Sequence, residues 1–257
     1  MSFLSKLKTR LVNSSGAGAI PEGTLAYAIG DIHGRADLLE NLLKQIKVDA
    51  AASEADKRVL IFLGDYVDRG WQSKEVLDRL CDLDLNGFET VCLKGNHEEA
   101  LLSFLDDPLF LTSWRQYGGL ETLHAYGLKD LNFQADETYM RKLHAEFEKA
   151  LPAAHKAFLK ALPISYELGD YFFVHAGVRP GVPLEKQDEH DLCWIRDEFL
   201  ESRANFGKRV VHGHCPEETP QVRKNRIGID TGAYITGTLT AVVLEGTSVR
   251  FLQTTDS

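Results

Sequence analysis

The sequence predicts an α/β fold in which two sheets pack face to face with helices outside them. Three observations predict it. Short apolar runs alternate with helical periods over the first hundred residues. A helix-rich stretch follows from Leu101 to Leu162. After Pro163, strand patterns dominate.

The opening stretch, residues 1–22, reads MSFLSKLKTRLVNSSGAGAIPE. Lys6, Lys8 and Arg10 interrupt the run where a signal peptide would need an apolar core. Phe3, Leu4, Leu7 and Leu11 fall at helical spacing. A short amphipathic helix that touches a membrane or a partner is one reading. A terminal helix followed by a Gly/Ser/Pro loop is the preferred one. Residues 23–257 then read as one domain, because 257 residues with 44% hydrophobic content suffice for one substantial core.

LAYAIG, from Leu25 to Gly30, reads as a buried strand. ADLLENLLKQI follows with Leu38, Leu39, Leu42, Leu43 and Ile46 on one helical face. RVLIFLG, from Arg58 to Gly64, is a second buried strand. SKEVLDRLCDL is a helix with Ser73 as its expected N-cap. ETVCLKG, from Glu89 to Gly95, is a third strand, and a helix starts near His97. Residues 101–162 read as a helical cap or insertion. ISYELG, YFFVHAG, KRVVHGH, RIGID, TLTAVVLE and SVRFLQT supply the later strands.

The net charge of −9 disfavours general nucleic-acid binding, although a local basic groove is compatible with it. No stretch of about 18 apolar residues occurs, so no transmembrane span is expected. Cys81, Cys92, Cys193 and Cys215 form no C-x-x-C pair, which fits reduced thiols in a cytoplasmic protein. The sequence carries no signal for oligomeric state.

Polar clusters follow the predicted strands. GDIHG carries Asp31 and His33. GDYVDRG carries Asp65, Asp68 and Arg69. GNHE carries Asn96 and His97. FVHAG and VHGH carry His175 and His214. Strand C-termini are where ligands bind in α/β sheets. Taken singly, each cluster has a bland reading: Asp65 as a cap, His175 as a core histidine. Five clusters in one order, each after a strand, do not read as chance. Asp31, His33, Asp65, Asn96, His175 and His214 offer oxygen and nitrogen donors without cysteine. That set suits a pair of divalent ions, Mn first, with Fe or Zn as alternatives. Asp65 is the carboxylate expected to bridge them, and two ions about 3.5–4 Å apart can clamp a displacement at phosphorus.

At these residues the sequence resembles the calcineurin-like metallophosphoesterases. Within them it is most similar to phosphoprotein phosphatases of compact bacterial and phage form. The resemblance implies a four-layer fold, two mixed β-sheets packed as a sandwich between helices. It also implies that Asp31, His33 and Asp65 hold one metal, and that Asp65, Asn96, His175 and His214 hold the other. His97 becomes the general acid, with Asp68 orienting it and raising its pKa. Arg69, Arg196 in DLCWIRDEF, and Asn96 contact the phosphate. The alternative for Arg196 is an ion pair with Asp197 or Glu198. His212 is expected behind the ligands, on the face of His214. GIDTGAY, from Gly228 to Tyr234, is expected to shape the site floor without a catalytic role.

The implied reaction is hydrolysis of a phosphate monoester by direct attack of a metal-bridging hydroxide, with no phosphoenzyme. Phosphoserine or phosphothreonine in proteins is the first substrate class. Symmetrical hydrolysis of dinucleoside tetraphosphates is the alternative, since bacterial diadenosine tetraphosphatases resemble the same motifs. Asp68, and Trp71 after GDYVDRG, favour the phosphatase. An inactive scaffold is the third reading, and the intact ligand set argues against it.

Overall fold

The computed structural model describes residues 18–129, 131 and 136–254. The expected N-terminal helix lies outside them.

Three strands open the chain, β1 (Thr24–Ile29), β2 (Lys57–Phe62) and β3 (Phe88–Cys92). They pair in parallel; β9 (Thr240–Glu245) runs antiparallel to β1 and β10 (Ser248–Gln253) antiparallel to β9, in the order β10-β9-β1-β2-β3. The second sheet contains β4 (Ser165–Leu168), β5 (Tyr171–Val174), β6 (Arg209–His212), β7 (Gln221–Val222) and β8 (Arg226–Gly228), ordered β4-β5-β6-β8-β7. β5, β6 and β8 are parallel, whereas β4 and β7 run antiparallel to their neighbours.

Both sheets are buried on both faces, which explains why their strands read as continuous apolar runs. In β1, Leu25, Tyr27 and Ile29 face a helical layer. Ala26 and Ala28 face the second sheet and meet a core that includes Phe173, Val211 and Ile227. The helical layer is built by α1 (Ala36–Ala51), α2 (Ser73–Cys81) and α3 (Asn96–Asp106). The four leucines and one isoleucine foreseen on one face of α1 are all buried. Past the second sheet, Phe172, Val174 and Val210 pack on Leu192, Ile195 and Phe199 of the segment carrying α8 (Glu189–Trp194) and α9 (Asp197–Leu200). The result is four layers, helix, sheet, sheet, helix.

Between α3 and β4 lie α4 (Leu111–Trp114), α5 (Gly119–Ala125), α6 (Glu137–Ala150) and α7 (Ala153–Ala161). Trp114, Leu123, Phe147 and Leu159 share one apolar cluster with Leu60 and Phe62 of β2, so this helical stretch packs into the main core.

One local expectation changes and one strand was not foreseen. Ser73 does not cap α2; it is the first helical residue, and its Oγ accepts the amide N–H of Asp68 at 3.1 Å. The buried loop needs that acceptor more than the helix does. The two-residue β7 has no alternation to announce it.

Candidate active site

The loops after β1, β2, β3, β5, β6 and β8 converge at one end of the sandwich. Their backbones are strained. Among the described residues, five that are not glycine have positive φ: His33 (46°), Asp65 (54°), Asp68 (70°), Arg69 (66°) and His214 (65°). Such conformations cost about 1–3 kcal/mol each and persist where the surroundings over-determine them. All five were singled out from the motifs.

Glu98 supplies much of that determination. Its buried carboxylate accepts N–H groups from Asp65 (2.8 Å), Tyr66 (2.8 Å) and Gly95 (2.9 Å), joining the loops after β2 and β3. The Asp65 carbonyl accepts the N–H groups of Ile32 (3.0 Å) and His33 (2.8 Å), which ties in the loop after β1. Gly64 (φ 104°) lies so close to the Gly95 backbone that an added Cβ would sit 2.5 Å from its nitrogen. The β2 and β3 loops can touch only without side chains there.

The imidazoles are set as acceptors toward the site. His33 Nδ1 lies 2.9 Å from the Val67 carbonyl, and His175 Nδ1 lies 2.9 Å from the Leu63 carbonyl. Carbonyls only accept, so both Nδ1 atoms carry the proton and both Nε2 lone pairs face inward. His175 Nε2 lies 2.8 Å from Asn96 Oδ1, 3.2 Å from His214 Nδ1 and 3.4 Å from Asp65 Oδ1. Asn96 Oδ1 is also 2.8 Å from His214 Nδ1. An acceptor facing an acceptor at 2.8 Å is unfavourable unless a cation lies between. Donors held about 2.0–2.2 Å from one ion stand roughly 2.8–3.4 Å apart. The four distances given lie in that range.

Asp65 also borders a second group. Its Oδ2 lies 3.5 Å from His33 Nε2 and 3.7 Å from His97 Nε2. Asp65 is therefore common to both donor clusters, Asp65–His175–His214 and His33–Asp65–His97. Asp31 is in neither. Its two oxygens accept the His214 amide N–H at 3.2 and 3.0 Å, and Asp230 lies beside it.

Burial makes every charge here costly. It pushes the carboxyls of Asp31 and Asp65 well above the usual range, with Asp230 adding to the first and Glu98 to the second. It pushes His33 far below its ordinary value, His175 down to about 3, and His214 lower still. Neutral imidazoles beside carboxylates that lack counter-charge form a cradle for divalent cations. The residues thus fit the expected metals in chemistry and in spacing.

His97 Nδ1 lies 2.7 Å from Asp68 Oδ2. Asp68 also accepts from Trp114 Nε1 (2.9 Å) and Thr122 Oγ1 (2.6 Å). Burial pushes Asp68 up to about 7. Contrary to the expectation of a raised imidazole, His97 is pushed well below its ordinary value, first by burial and then by Arg69 and Arg196. Arg69 donates from Nη2 to His97 Nε2 (3.3 Å) and from Nη1 to the Tyr234 hydroxyl (3.2 Å).

Arg196 is exposed, and its Nη1 lies 3.8 Å from Cys215 Sγ. The alternative ion pair does not form with Glu198, which binds Arg179 at 2.6 Å. His212 turns away from the metal donors. Its ring meets Phe199 edge-on at 5.0 Å, because β6 ends at His212 and alternation does not carry through to His214. Sequence reasoning gave no role to Glu98, although GNHE contains it. It missed Trp114 and Thr122, whereas Asp230 and Tyr234 lie in the GIDTGAY stretch expected on the site floor.

Two outcomes follow from this geometry. Glu98→Gln places an amide N–H₂ against two of the N–H groups the carboxylate serves, and urea unfolding should show a loss of about 2–5 kcal/mol. A near-neutral result would remove Glu98 from its organising role. His212 is the second case. Burial lowers its pKa from 6.5 to about 4. The unfolded state therefore binds the proton first, and the stability His212 contributes is full above pH 6.5 and lost as pH falls toward 4. Between about pH 7.5 and 5, chelator-treated His212→Gln should lose about 2 kcal/mol less than the parent. Parallel losses would contradict it.

The family profile described as calcineurin-like phosphoesterase matches residues 26–241. The chain is 27% identical over 242 residues to the asymmetrical bis(5'-nucleosyl)-tetraphosphatase PrpE of Bacillus thuringiensis (strain Al Hakam), covering 83% of this chain and 88% of that protein. It is 28% identical over 233 residues to the protein of the same name from Anoxybacillus flavithermus (strain DSM 21510 / WK1), with the same coverage. Three solved structures share its fold. A putative diadenosine tetraphosphatase superposes with TM-score 0.62 at 19% identity, over 94% of this chain and 100% of that one. A cold-active protein tyrosine phosphatase gives 0.59 at 19%, over 88% and 77%. A protein serine/threonine phosphatase from Saccharomyces cerevisiae gives 0.54 at 15%, over 91% and 81%. With the family profile spanning most of the chain and the ligand motifs gathered at one end of the sandwich, this protein belongs to the calcineurin-like phosphoesterase family.

Proposed function

We propose that this phosphoesterase hydrolyses phosphate monoesters, with phosphoserine and phosphothreonine in proteins as its substrates. One observation carries the reading: the buried pair His97–Asp68, 2.7 Å apart and beside Arg69. Serine and threonine alkoxides are poor leaving groups and need a proton. The phosphate leaving group of an anhydride titrates near about 6 and departs without one.

Asp65, Asn96, His175 and His214 would hold one divalent ion, and His33 with Asp65 the core of another. Asp31 is the further ligand that the family resemblance implies. Mn is the ion we propose, on an oxygen and nitrogen donor set. When bound, such ions offset phosphate charge and make water a usable nucleophile near neutral pH.

The chain's own residues do the rest. Arg69 offers a planar fork to the phosphate oxygens, and Arg196 approaches from the rim. In the free site Arg69 donates to His97 Nε2, so that nitrogen holds a lone pair and the imidazole proton faces Asp68. A phosphate dianion draws the two guanidiniums to itself. It thereby removes two of the influences that hold His97 low. Nε2, released by Arg69, takes a proton from solvent, Asp68 pairs with the resulting imidazolium through Nδ1, and His97 passes the Nε2 proton to the leaving oxygen. Trp71 and Ile235, 62% and 71% exposed, flank Arg69 and Tyr234 in the chain and offer apolar contact to a peptide. Four free thiols suit a reducing compartment, and the proposal takes the cytoplasm as its place of action.

A second reading has its own support. The relatives at 27–28% identity are named asymmetrical bis(5'-nucleosyl)-tetraphosphatases, and they align over 83% of the chain. The deciding experiment supplies Mn and compares turnover of a phosphothreonine peptide with that of diadenosine tetraphosphate. Phosphate release from the peptide should dominate. Preferred cleavage to ATP and AMP would give the protein the activity its relatives are named for. Preferred cleavage to two ADP would give it the symmetrical one. His97→Ala tests the acid separately. Turnover should fall by about 10²–10⁴ on the phosphothreonine peptide and far less on an aryl phosphate. Equal losses would overturn the assignment.

A further inference from the structure

At the far end of the second sheet lies a cavity of about 860 Å³. Arg209 opens β6 and Arg226 opens β8, and both line it. The metal-donor loops leave the opposite ends of the same strands. The length of β6, about 10 Å of chain, separates Arg209 from His212. The cavity is therefore distinct from the active site.

Its charge is opposite to that of the molecule. The chain carries −9, yet the lining holds six Arg and Lys against two acids, Asp170 and Glu201. Lys208 is committed elsewhere, donating to the Gly169 carbonyl (2.7 Å) and pairing with Glu167 (3.0 Å). Arg203, Arg223 and Lys224 are exposed at the rim, and no ion pair among the described residues includes them. Arg226 is 7% exposed. Its Nη2 donates to the Leu200 carbonyl at 2.7 Å, and its Nε is buried with no partner. A buried guanidinium without a carboxylate is expensive unless an anion completes it. The wall is also fixed. Asn225 Nδ2 donates to the carbonyls of Ser202 (3.0 Å) and Ala204 (2.9 Å), and Arg209 Nη2 donates to that of Arg223 (2.7 Å). The cations thus stand on a cross-braced frame.

We propose that this cavity is a second anion site, which takes a small ligand carrying clustered phosphates. The volume lies in the range of small-molecule sites, about 300–1,000 Å³. The six cations line one concavity and not an extended track, which does not suit a long duplex backbone. Residues 1–17 carry Lys6, Lys8 and Arg10 and no acid, so their charge does not complement the cavity. Arginine forks match phosphate oxygens, and several in one wall suit a ligand with more than one phosphate.

The test is calorimetric titration of the full, chelator-treated chain with inorganic tripolyphosphate. Arg69→Ala with Arg196→Ala removes the active-site cations, and one tripolyphosphate per chain should still bind. Arg223→Ala with Lys224→Ala alters exposed positions only, and in that active-site variant it should weaken binding by about tenfold or more. Lys142→Ala with Lys149→Ala, on the exposed face of α6, should leave binding unchanged. Binding abolished by the active-site changes overturns the proposal. So does equal weakening by the α6 control, or no binding below about 1 mM. ATP serves as a second titrant in the active-site variant. Tighter binding than tripolyphosphate assigns the cavity a nucleotide, and equal binding assigns it the oligophosphate alone.

Discussion

The carboxylate of Glu98 accepts amide N–H groups from Asp65, Tyr66 and Gly95, and the geometry of the site depends on that convergence. Asp65 has φ 54°, a conformation an isolated chain would leave. Asp68 and Arg69 follow with φ 70° and 66°, so the whole turn after β2 is held against its own preference. Three amides bonded to one buried carboxylate cannot relax without each losing its acceptor in a dry interior. That penalty exceeds the strain of any one residue. The carbonyl of Asp65 then passes the constraint to Ile32 and His33. One acid, itself absent from the donor clusters, thus fixes the loops of three strands.

A second tension runs through the same region. The fold buries Asp31, Asp65 and Asp230 near one another, and places the lone pairs of His33, His175 and His214 around them. Burial drives the acids up and the imidazoles down, so each group resists its charge. Protein groups alone relieve only part of this. The His214 amide serves Asp31, while Arg69 reaches His97 and Tyr234. Divalent cations would relieve the remainder, since they neutralise the carboxylates and satisfy the lone pairs together.

The sequence made the fold legible where both faces of a strand are covered. Leu25 to Ile29 and Val59 to Leu63 are continuous apolar runs because helices lie on one side and a sheet on the other. The donor motifs were legible because each follows such a run within a few residues. What stayed hidden was long-range. Trp114 and Thr122 bind Asp68 from 46 and 54 residues away, and nothing local marks them. Glu98 sat in a motif already noticed, but a glutamate in a helix's first turn reads as a favourable charge near the helix dipole. Its reach to the β2 loop needs the tertiary structure. Ser73 misled for the same reason, since a loop amide claimed the hydroxyl that local rules assign to a cap. The pKa of His97 was misjudged because only its carboxylate partner was weighed, whereas burial first, and then Arg69 and Arg196, act against it.

Arg69 joins these constraints to chemistry. In the free site it occupies the acceptor lone pair of His97 with one nitrogen and Tyr234 with another. A guanidinium so placed does two opposing things. It keeps the imidazole neutral while no phosphate is present, and it is the donor best shaped to leave for a phosphate when one arrives. Its backbone, at φ 66°, is anchored by the amide N–H, which the Gly118 carbonyl accepts at 3.1 Å. On the proposed reading, the proton that a leaving oxygen needs is withheld or supplied according to where one guanidinium spends its hydrogen bonds. A lysine at this position would carry the same charge but could not bridge hydroxyl, imidazole and phosphate with one planar group.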